Sequence, residues 1–381
     1  MSQGLGVALL GSKFMGRAHS NAWSQAPRFF DLPAHPTLEV VAARDTEYLA
    51  GFGPRFGWRR WTARWEEAVA DPAVRLVDVA TPNHLHRDQA MAALQAGKHV
   101  ACEKPLAGTL ADALEMASAA AGSDARTFVW FNYRRVPALA YAHRLVRDGL
   151  VGPVRHVRAV YLQSWGGPET PLLWRFRGEE AGSGAHGDLN AHIIDLARFL
   201  TGEEFVEVAG AIEARFVAER PLPEDPSRRA PSTVDDAVLF LGRFAGGAVA
   251  SFEATRLATG YKNSHRIEIH GEHGAIRFDF ERMNELGVFD ARLAPAERGW
   301  RSVLVTDPEH PYASAWWPDG HWLGYEHTFV NQAADIVGAL SGVEPPVPLP
   351  DFADAYETQR VMEAAILSAR ERCPIALTEV R

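Results

Sequence analysis

A lysine, a carboxylate and an imidazole stand in this chain where a hydroxyl proton could be moved. Lys104 follows a short apolar run, residues 98–102 (KHVAC), in the segment CEKPLAGTLADA. Pro105 biases that lysine toward an extended backbone and stops a helix from continuing directly. Asp188 and His192 lie four residues apart in GSGAHGDLNAHIIDLARFLTG, residues 182–202, and Asp195 follows three further on. A helix there presents all three on nearly one face. A carboxylate and an imidazole beside a lysine can share and relay a hydroxyl proton. Plainer readings stay open: Lys104 as a loop lysine, Asp188 as the N-cap of a helix running to Leu200, His192 as a core residue. The i, i+4 pair could also hold a metal, but no third ligand appears at a convincing spacing, and no metal is expected.

The opening stretch LLGSKFMGRAHSNAW, residues 9–23, carries a second signal. Gly11 and Gly16 match the first and last glycines of G-x-G-x-x-G, with Lys13 in place of the middle one. The turn follows an apolar run and opens a helix, so its backbone N–H groups could hold a pyrophosphate. The acid that meets an adenosine ribose should end the next strand, and Asp45 does so. It comes about 30 residues after Gly16 rather than the usual roughly 20. The intervening AWSQAPRFFDLPAHPT reads as a lengthened connection.

Both sets of residues need elements to position them. Apolar runs at 5–10, 38–43, 74–80, 98–102 and 127–131 alternate with helical patterns at 15–26, 46–56, 65–70 and 86–96. Such alternation implies a parallel sheet covered by helices on both faces. From about Val136 the texture changes. A helix ends near Gly149, a strand follows at 154–163, then the helix holding Asp188 and His192, then strands at 206–216, 237–244, 248–254, 265–270 and 275–280. That succession predicts a mostly antiparallel sheet, helix-covered on one face and open on the other. Residues 219–235 are polar and proline-rich, a protruding loop. AWWPDGHWLGY, 315–325, reads as a lid or rim, and a last helix spans 352–369. The expected fold is α/β: an N-terminal Rossmann domain with a doubly wound parallel sheet, 1–132, and a C-terminal α+β domain with a large, mostly antiparallel open sheet, 133–381.

Composition narrows the options. Hydrophobic residues make up 47% of the 381 and charged residues 23%, ordinary for a folded chain. A formal charge of -9 argues against a nucleic-acid groove. No apolar run approaches the roughly 20 residues a membrane span needs. Cys102 and Cys373 are too few for a disulfide framework. The start, MSQGLGVALLG, lacks the basic stretch of a signal peptide, so a cytoplasmic protein is expected.

The glycine turn, TPNHLH at 81–86 and AGKHVACEKPLA together resemble the glucose-fructose oxidoreductase and inositol 2-dehydrogenase (Gfo/Idh/MocA) family. Residues 182–202 resemble that family's G-D-x-G-x-H-x-x-D segment, with Asn190 where glycine is frequent and so placed to shape a pocket. The resemblance implies an NAD-dependent dehydrogenase with Lys104, Asp188 and His192 as catalytic residues. In that scheme Lys104, with His192, withdraws the hydroxyl proton and Asp188 holds the lysine. The Lys–Pro bond after the glutamate is often cis in the family. Gly11, Lys13, Phe14, Met15, Gly16, Asp45, Thr81, Asn83, His86, Glu103 and Arg175 would meet the cofactor. FNYRR (131–135), YLQSW (161–165) and LLWRF (172–176) resemble a branch of pyranoside 3-dehydrogenases. By that likeness Tyr133, Gln163, Trp165 and Tyr325 line the substrate beside the catalytic three. The substrate would be a pyranose, glycoside, anhydrosugar or cyclitol, oxidised at a secondary hydroxyl such as C3. Family members commonly form dimers or tetramers through the open sheet. Asp45 favours NAD, while Arg44 keeps NADP open. Two other functions stay open: a non-catalytic NAD(P)-binding sensor on the same fold, and a sugar–sugar oxidoreductase with tightly held NADP.

Overall fold

The computed structural model describes residues 4–380; residues 1–3 and 381, the ends of the two expected domains, lie outside the described residues. Contacts divide the chain into two compact units. The first is built on six strands: β1 (Gly4–Leu10), β2 (His35–Ala42), β3 (Arg60–Thr62), β4 (Leu76–Val79), β5 (His99–Cys102) and β6 (Thr127–Val129). They form one parallel sheet in the order β3-β2-β1-β4-β5-β6. Helices α1 (Phe14–Phe29), α2 (Thr46–Phe56), α3 (Trp65–Ala70), α4 (His86–Gln95) and α5 (Leu110–Ala121) connect them. Strands β4 and β5 are buried at nearly every position, as a sheet covered on both faces requires. The strand order reverses between β1 and β4, so their carboxyl ends open the crevice in which such sheets bind ligands.

Two details differ from the sequence reading. Half of the lengthened connection is helix: α1 continues through Pro27 to Phe29, and β2 starts at His35. Strand β3 is three residues on the sheet edge, too short to leave a pattern.

The second unit is built on one mixed sheet of nine strands. After α6 (Pro137–Arg147) come β7 (Val154–Leu162), α7 (Gly178–Ala181), α8 (Ala191–Thr201), β8 (Phe205–Ala214), β9 (Glu219–Pro221), β10 (Arg229–Pro231), β11 (Ala237–Phe244), β12 (Val249–Thr255), β13 (Ser264–Gly271), β14 (Gly274–Asp279), β15 (Glu285–Asp290) and β16 (Arg301–Leu304). With β17 (Ile375–Ala376) the order is β16-β15-β14-β13-β7-β12-β11-β8-β17, antiparallel throughout except for β7 with β12. Helices α6 and α8 pack on one face. Along β11 the alternation is strict: Val238, Phe240 and Phe244 are buried, while Leu239 and Leu241 point outward and stay exposed beside Ile212 of β8. The stretch 219–235 is not simply a loop, since β9 and β10 pair as a ribbon that buries Arg220.

Two more helices follow, α9 (Tyr325–Leu340) and α10 (Phe352–Glu371). Helix α9 was not expected, and it belongs with residues 314–317 and 323–356 to the first unit, although the expected second domain began at 133. Its residues 328–339 are all buried. Four of them are polar: Thr328 donates to the Tyr325 carbonyl, Asn331 to the Arg135 carbonyl, Gln332 to the Val129 carbonyl, and Asp335 pairs with Arg135. A helix buried all round with polar groups satisfied inside shows no apolar stripe to read. Only part of the segment 315–325 looks like a rim. Trp316 is anchored, its ring 4.4 Å from Phe29 and its N–H on Asn331, whereas Trp317 and Trp322 are exposed. Among the described residues no helix is long and apolar enough to cross a membrane.

Candidate active site

The turn between β1 and α1 needs its two glycines. Gly11 has φ +112° and its N–H bonds the Ala42 carbonyl; a Cβ there would run into the carbonyl of Ala80. A Cβ at Gly16 would meet the carbonyl of Gly11. Position 13 has no such constraint: Lys13 extends over the Tyr48 ring, 4.1 Å from its centroid, and reaches Asp45 Oδ2 at 3.3 Å. Asp45 is also the N-cap of α2, accepting the Tyr48 N–H at 3.0 Å. That backbone bond first, and Lys13 second, hold its carboxyl below the usual range. Lys13 caps α1 without a side-chain hydrogen bond, so the first-turn N–H groups are presented to a phosphate. The residues fit a dinucleotide. Phe14, 60% exposed, lies parallel to the Tyr325 ring at 6.2 Å, and Tyr325 is 6.4 Å from the buried Tyr133.

Lys104 is held at the carboxyl end of β5. The Glu103 N–H bonds the Val79 carbonyl of β4, and the Lys104–Pro105 peptide is cis. Glu103 Oε2 accepts the Lys104 N–H at 3.0 Å, and its Oε1 accepts from His19 Nε2 at 3.0 Å. His19, fully buried on α1, turns its Nδ1 to Asp78 at 3.0 Å. Asp78 also accepts the indole N–H groups of Trp23 at 2.6 Å and Trp130 at 2.9 Å. Burial alone would pull the His19 imidazolium down, but Asp78 and Glu103 outweigh it and lift it to about 9. Neither His19 nor Asp78 was foreseen. The available signal was an aspartate inside the apolar strand LVDV, since a buried carboxylate needs donors.

His86 is a correction. Its ring is fully buried, with Nε2 on the Thr81 carbonyl at 2.9 Å and Nδ1 on the Pro105 carbonyl at 3.1 Å. The ring thus lies between the TPNHLH turn and the loop after Lys104, and burial lowers its proton affinity, so one N–H donates to one of these carbonyls. It supports the cofactor turn rather than meeting a cofactor. Thr81 donates its hydroxyl to Gln89, and Asn83 is buried.

In the second unit Asp188 and His192 are not on one regular helix. Residues His186–Asn190 form a π-turn, and α8 begins only at Ala191. Asp235 shapes this turn by accepting the N–H groups of Gly184 at 2.6 Å and His186 at 2.8 Å. Asn190 does not shape a pocket. It is fully buried, its amide donating to His186 Nδ1 and the Val238 carbonyl, which ties the turn to β11. Nor is Asp188 an N-cap: its Oδ2 lies 3.3 Å from Arg256 Nε. Arg256 is a third residue that sequence reasoning missed. It is buried against the rings of Trp165 (5.2 Å) and Phe176 (5.5 Å). Burial lowers the proton affinity of its guanidinium, and Asp188 counters most.

His192 is buried, 5.9 Å from the Tyr161 ring. Tyr161 stacks on His265, which burial pushes down to about 3 and so keeps neutral. A polar row runs from the end of β7 into the segment after it: Tyr161 and Gln163 both donate to Asn263 Oδ1, at 2.9 and 2.6 Å, and Trp165 donates to Gln163 Oε1 at 2.6 Å. Arg175 lies over the Trp174 ring at 4.4 Å.

Residues 5–131 match the model of the oxidoreductase family with an NAD-binding Rossmann fold, and residues 139–277 that of the GFO/IDH/MocA C-terminal domain. Levoglucosan dehydrogenase of Pseudarthrobacter phenanthrenivorans is 40% identical over 394 residues, covering 99% of each chain. The chain belongs to the GFO/IDH/MocA oxidoreductase family. Among solved structures, an oxidoreductase domain protein from Kribbella flavida superposes with TM-score 0.95 at 50% identity, covering 98% of this chain and 99% of that one. Levoglucosan dehydrogenase in complex with NADH and levoglucosan superposes with TM-score 0.93 at 41% identity, covering 98% and 100%. As a GFO/IDH/MocA member this chain is an NAD-dependent oxidoreductase, and its first unit is the NAD-binding domain.

Proposed function

We propose that the enzyme oxidises a secondary hydroxyl of a pyranose-type sugar, anhydrosugar or cyclitol to the ketone, with C3 of the ring as the reacting carbon. The observation that carries this reading is Lys104, half-buried at the carboxyl end of β5 and held there through its own backbone N–H by Glu103. The full-length likeness to levoglucosan dehydrogenase supports the substrate class. NAD+, when bound, accepts the hydride from the carbinol carbon. Lys104, in its amine form, takes the hydroxyl proton, so the C–H and O–H bonds break and a C=O bond forms. His192 shares that proton. Asp188, paired with Arg256, orients a substrate hydroxyl. Trp165 offers a ring face to the sugar's C–H surface, and Gln163 orients that ring. The test is NAD+ reduction, followed by absorbance, against levoglucosan, glucose, alkyl glucosides and myo-inositol. The carbon of the product ketone is located by carbon NMR. Tight NADH binding without turnover of any polyol would leave the sensor reading instead.

Asp45 at the end of β2 is assigned to the adenosine ribose, where its charge repels a 2′-phosphate. Lys13 offsets part of that charge. Replacing Lys13 with methionine should therefore lower NADP use relative to NAD about three- to fivefold. An unchanged ratio of the two kcat/KM values would remove Lys13 from cofactor selection.

The exposed Leu239, Leu241 and Ile212 on the open sheet face support assembly into a dimer or tetramer through that face. Leu241→Arg should yield monomers by light scattering. A variant that keeps the wild-type mass places the interface elsewhere.

A further inference from the structure

We propose that His19 is a positioning residue for Lys104: clamped between Asp78 and Glu103, it fixes the carboxylate that in turn holds the Lys104 backbone N–H. The inference deepens the dehydrogenase reading and rests on it for the role of Lys104. Its geometry lies wholly within the first unit. From the middle of β4 to the end of β5 runs one chain of contacts: Asp78 to His19 Nδ1 at 3.0 Å, His19 Nε2 to Glu103 Oε1 at 3.0 Å, Lys104 N–H to Glu103 Oε2 at 3.0 Å.

Packing alone does not account for this arrangement. Two carboxylates and an imidazole are costly to bury, and apolar residues of similar size would fill the space more cheaply. Every acceptor in the chain is instead used. Asp78 receives two indole N–H groups besides the ring, and Glu103 receives one donor on each oxygen. Because both partners of His19 are carboxylates, both ring nitrogens must donate. The ring is wedged by Trp130 at 4.3 Å and by Phe329 of α9 at 5.5 Å, so it cannot turn away from either acid. The ionisable groups that act on it are Asp78 on β4 and Glu103 after β5. Cys102 on β5 and His86 on α4 feel the same Glu103 charge. His19 also sits on the helix that opens with the dinucleotide turn, so one element ties the pyrophosphate end of the crevice to the lysine.

The test is a double-mutant cycle of His19→Gln and Glu103→Ala on the full-length enzyme, read by amide hydrogen exchange at Lys104, by kcat and by NADH affinity. For His19→Gln, Lys104 exchange should rise about tenfold, the loss of one hydrogen bond's hold. kcat should fall roughly 10- to 100-fold, with the sugar KM and NADH Kd nearly unchanged. In the Glu103→Ala background, replacing His19 should add nothing further to either quantity. An equal effect of His19→Gln in both backgrounds, or unchanged exchange at Lys104, overturns the proposal. Should the variant not fold, nitrogen NMR of the wild-type His19 ring decides: two protonated ring nitrogens at neutral pH are required, and one alone overturns the clamp. Exchange needs no turnover, so an enzyme inactive on every sugar would refute the dehydrogenase reading while the cycle still decides the coupling.

Discussion

Replacing Lys104 with methionine is expected to lower kcat on the best sugar about 10³-fold while NADH affinity stays within about threefold. The methionine keeps the apolar stem and removes the side chain's proton-accepting nitrogen. The backbone bond from residue 104 to Glu103 does not depend on the side chain, so the end of β5 should keep its place. A loss confined to kcat, with thermal stability unchanged, marks a group used in the transition state. A loss of NADH affinity of the same size would instead make Lys104 a cofactor ligand. Retained turnover would move the base to His192.

The largest effect on stability is expected at Asp78. Asp78→Leu leaves three buried donors without an acceptor: the indole N–H groups of Trp23 and Trp130 and the His19 ring. At about 1–3 kcal/mol per orphaned group, the sum is about 5 kcal/mol, a large share of a typical domain's stability. Asp78→Asn keeps one oxygen and should cost about half as much. Urea denaturation measures both, and a loss below about 1 kcal/mol for the leucine variant would show that the network is relieved by water.

The same network fixes a pH dependence. His19 is raised from 6.5 to about 9 in the folded protein, so folding takes up a proton between those values. The stabilisation, about 3 kcal/mol, is complete below pH 6.5 and declines as pH rises, vanishing above about 9. Asp78→Asn removes much of the charge that raises His19 and should flatten this decline in unfolding free energy measured from pH 6 to 9.5. An identical slope in variant and wild type would assign the dependence to other groups.

Much of the fold was legible because it rests on local pattern. Helices α2 and α3 begin and end where their sequences do: Asp45 caps α2, and Gly57 at φ +81° ends it. The apolar runs of β1, β4 and β5 are buried strands because a parallel sheet under two helical layers accepts nothing polar cheaply. The one polar exception, Asp78, was the informative residue, and its partners His19, Trp23 and Trp130 lie 52 to 59 residues away in the chain. Helix α9 escaped for the opposite reason. From 328 to 339 it is buried on every side, and Asn331, Gln332 and Asp335 look like surface residues until their partners are known.

The site divides in the same way. Sequence alone determined the glycines of the turn, the acid after β2 and the lysine before proline, because each is set by backbone geometry over a few residues. Tertiary structure alone decided that His86 serves the loop after Lys104, that His19 holds Glu103 and that Asp188 is paired with Arg256. Those are choices of partner by buried charges and donors. Burial makes the choice stringent, and only the folded chain brings the candidates within 3 Å or so of each other.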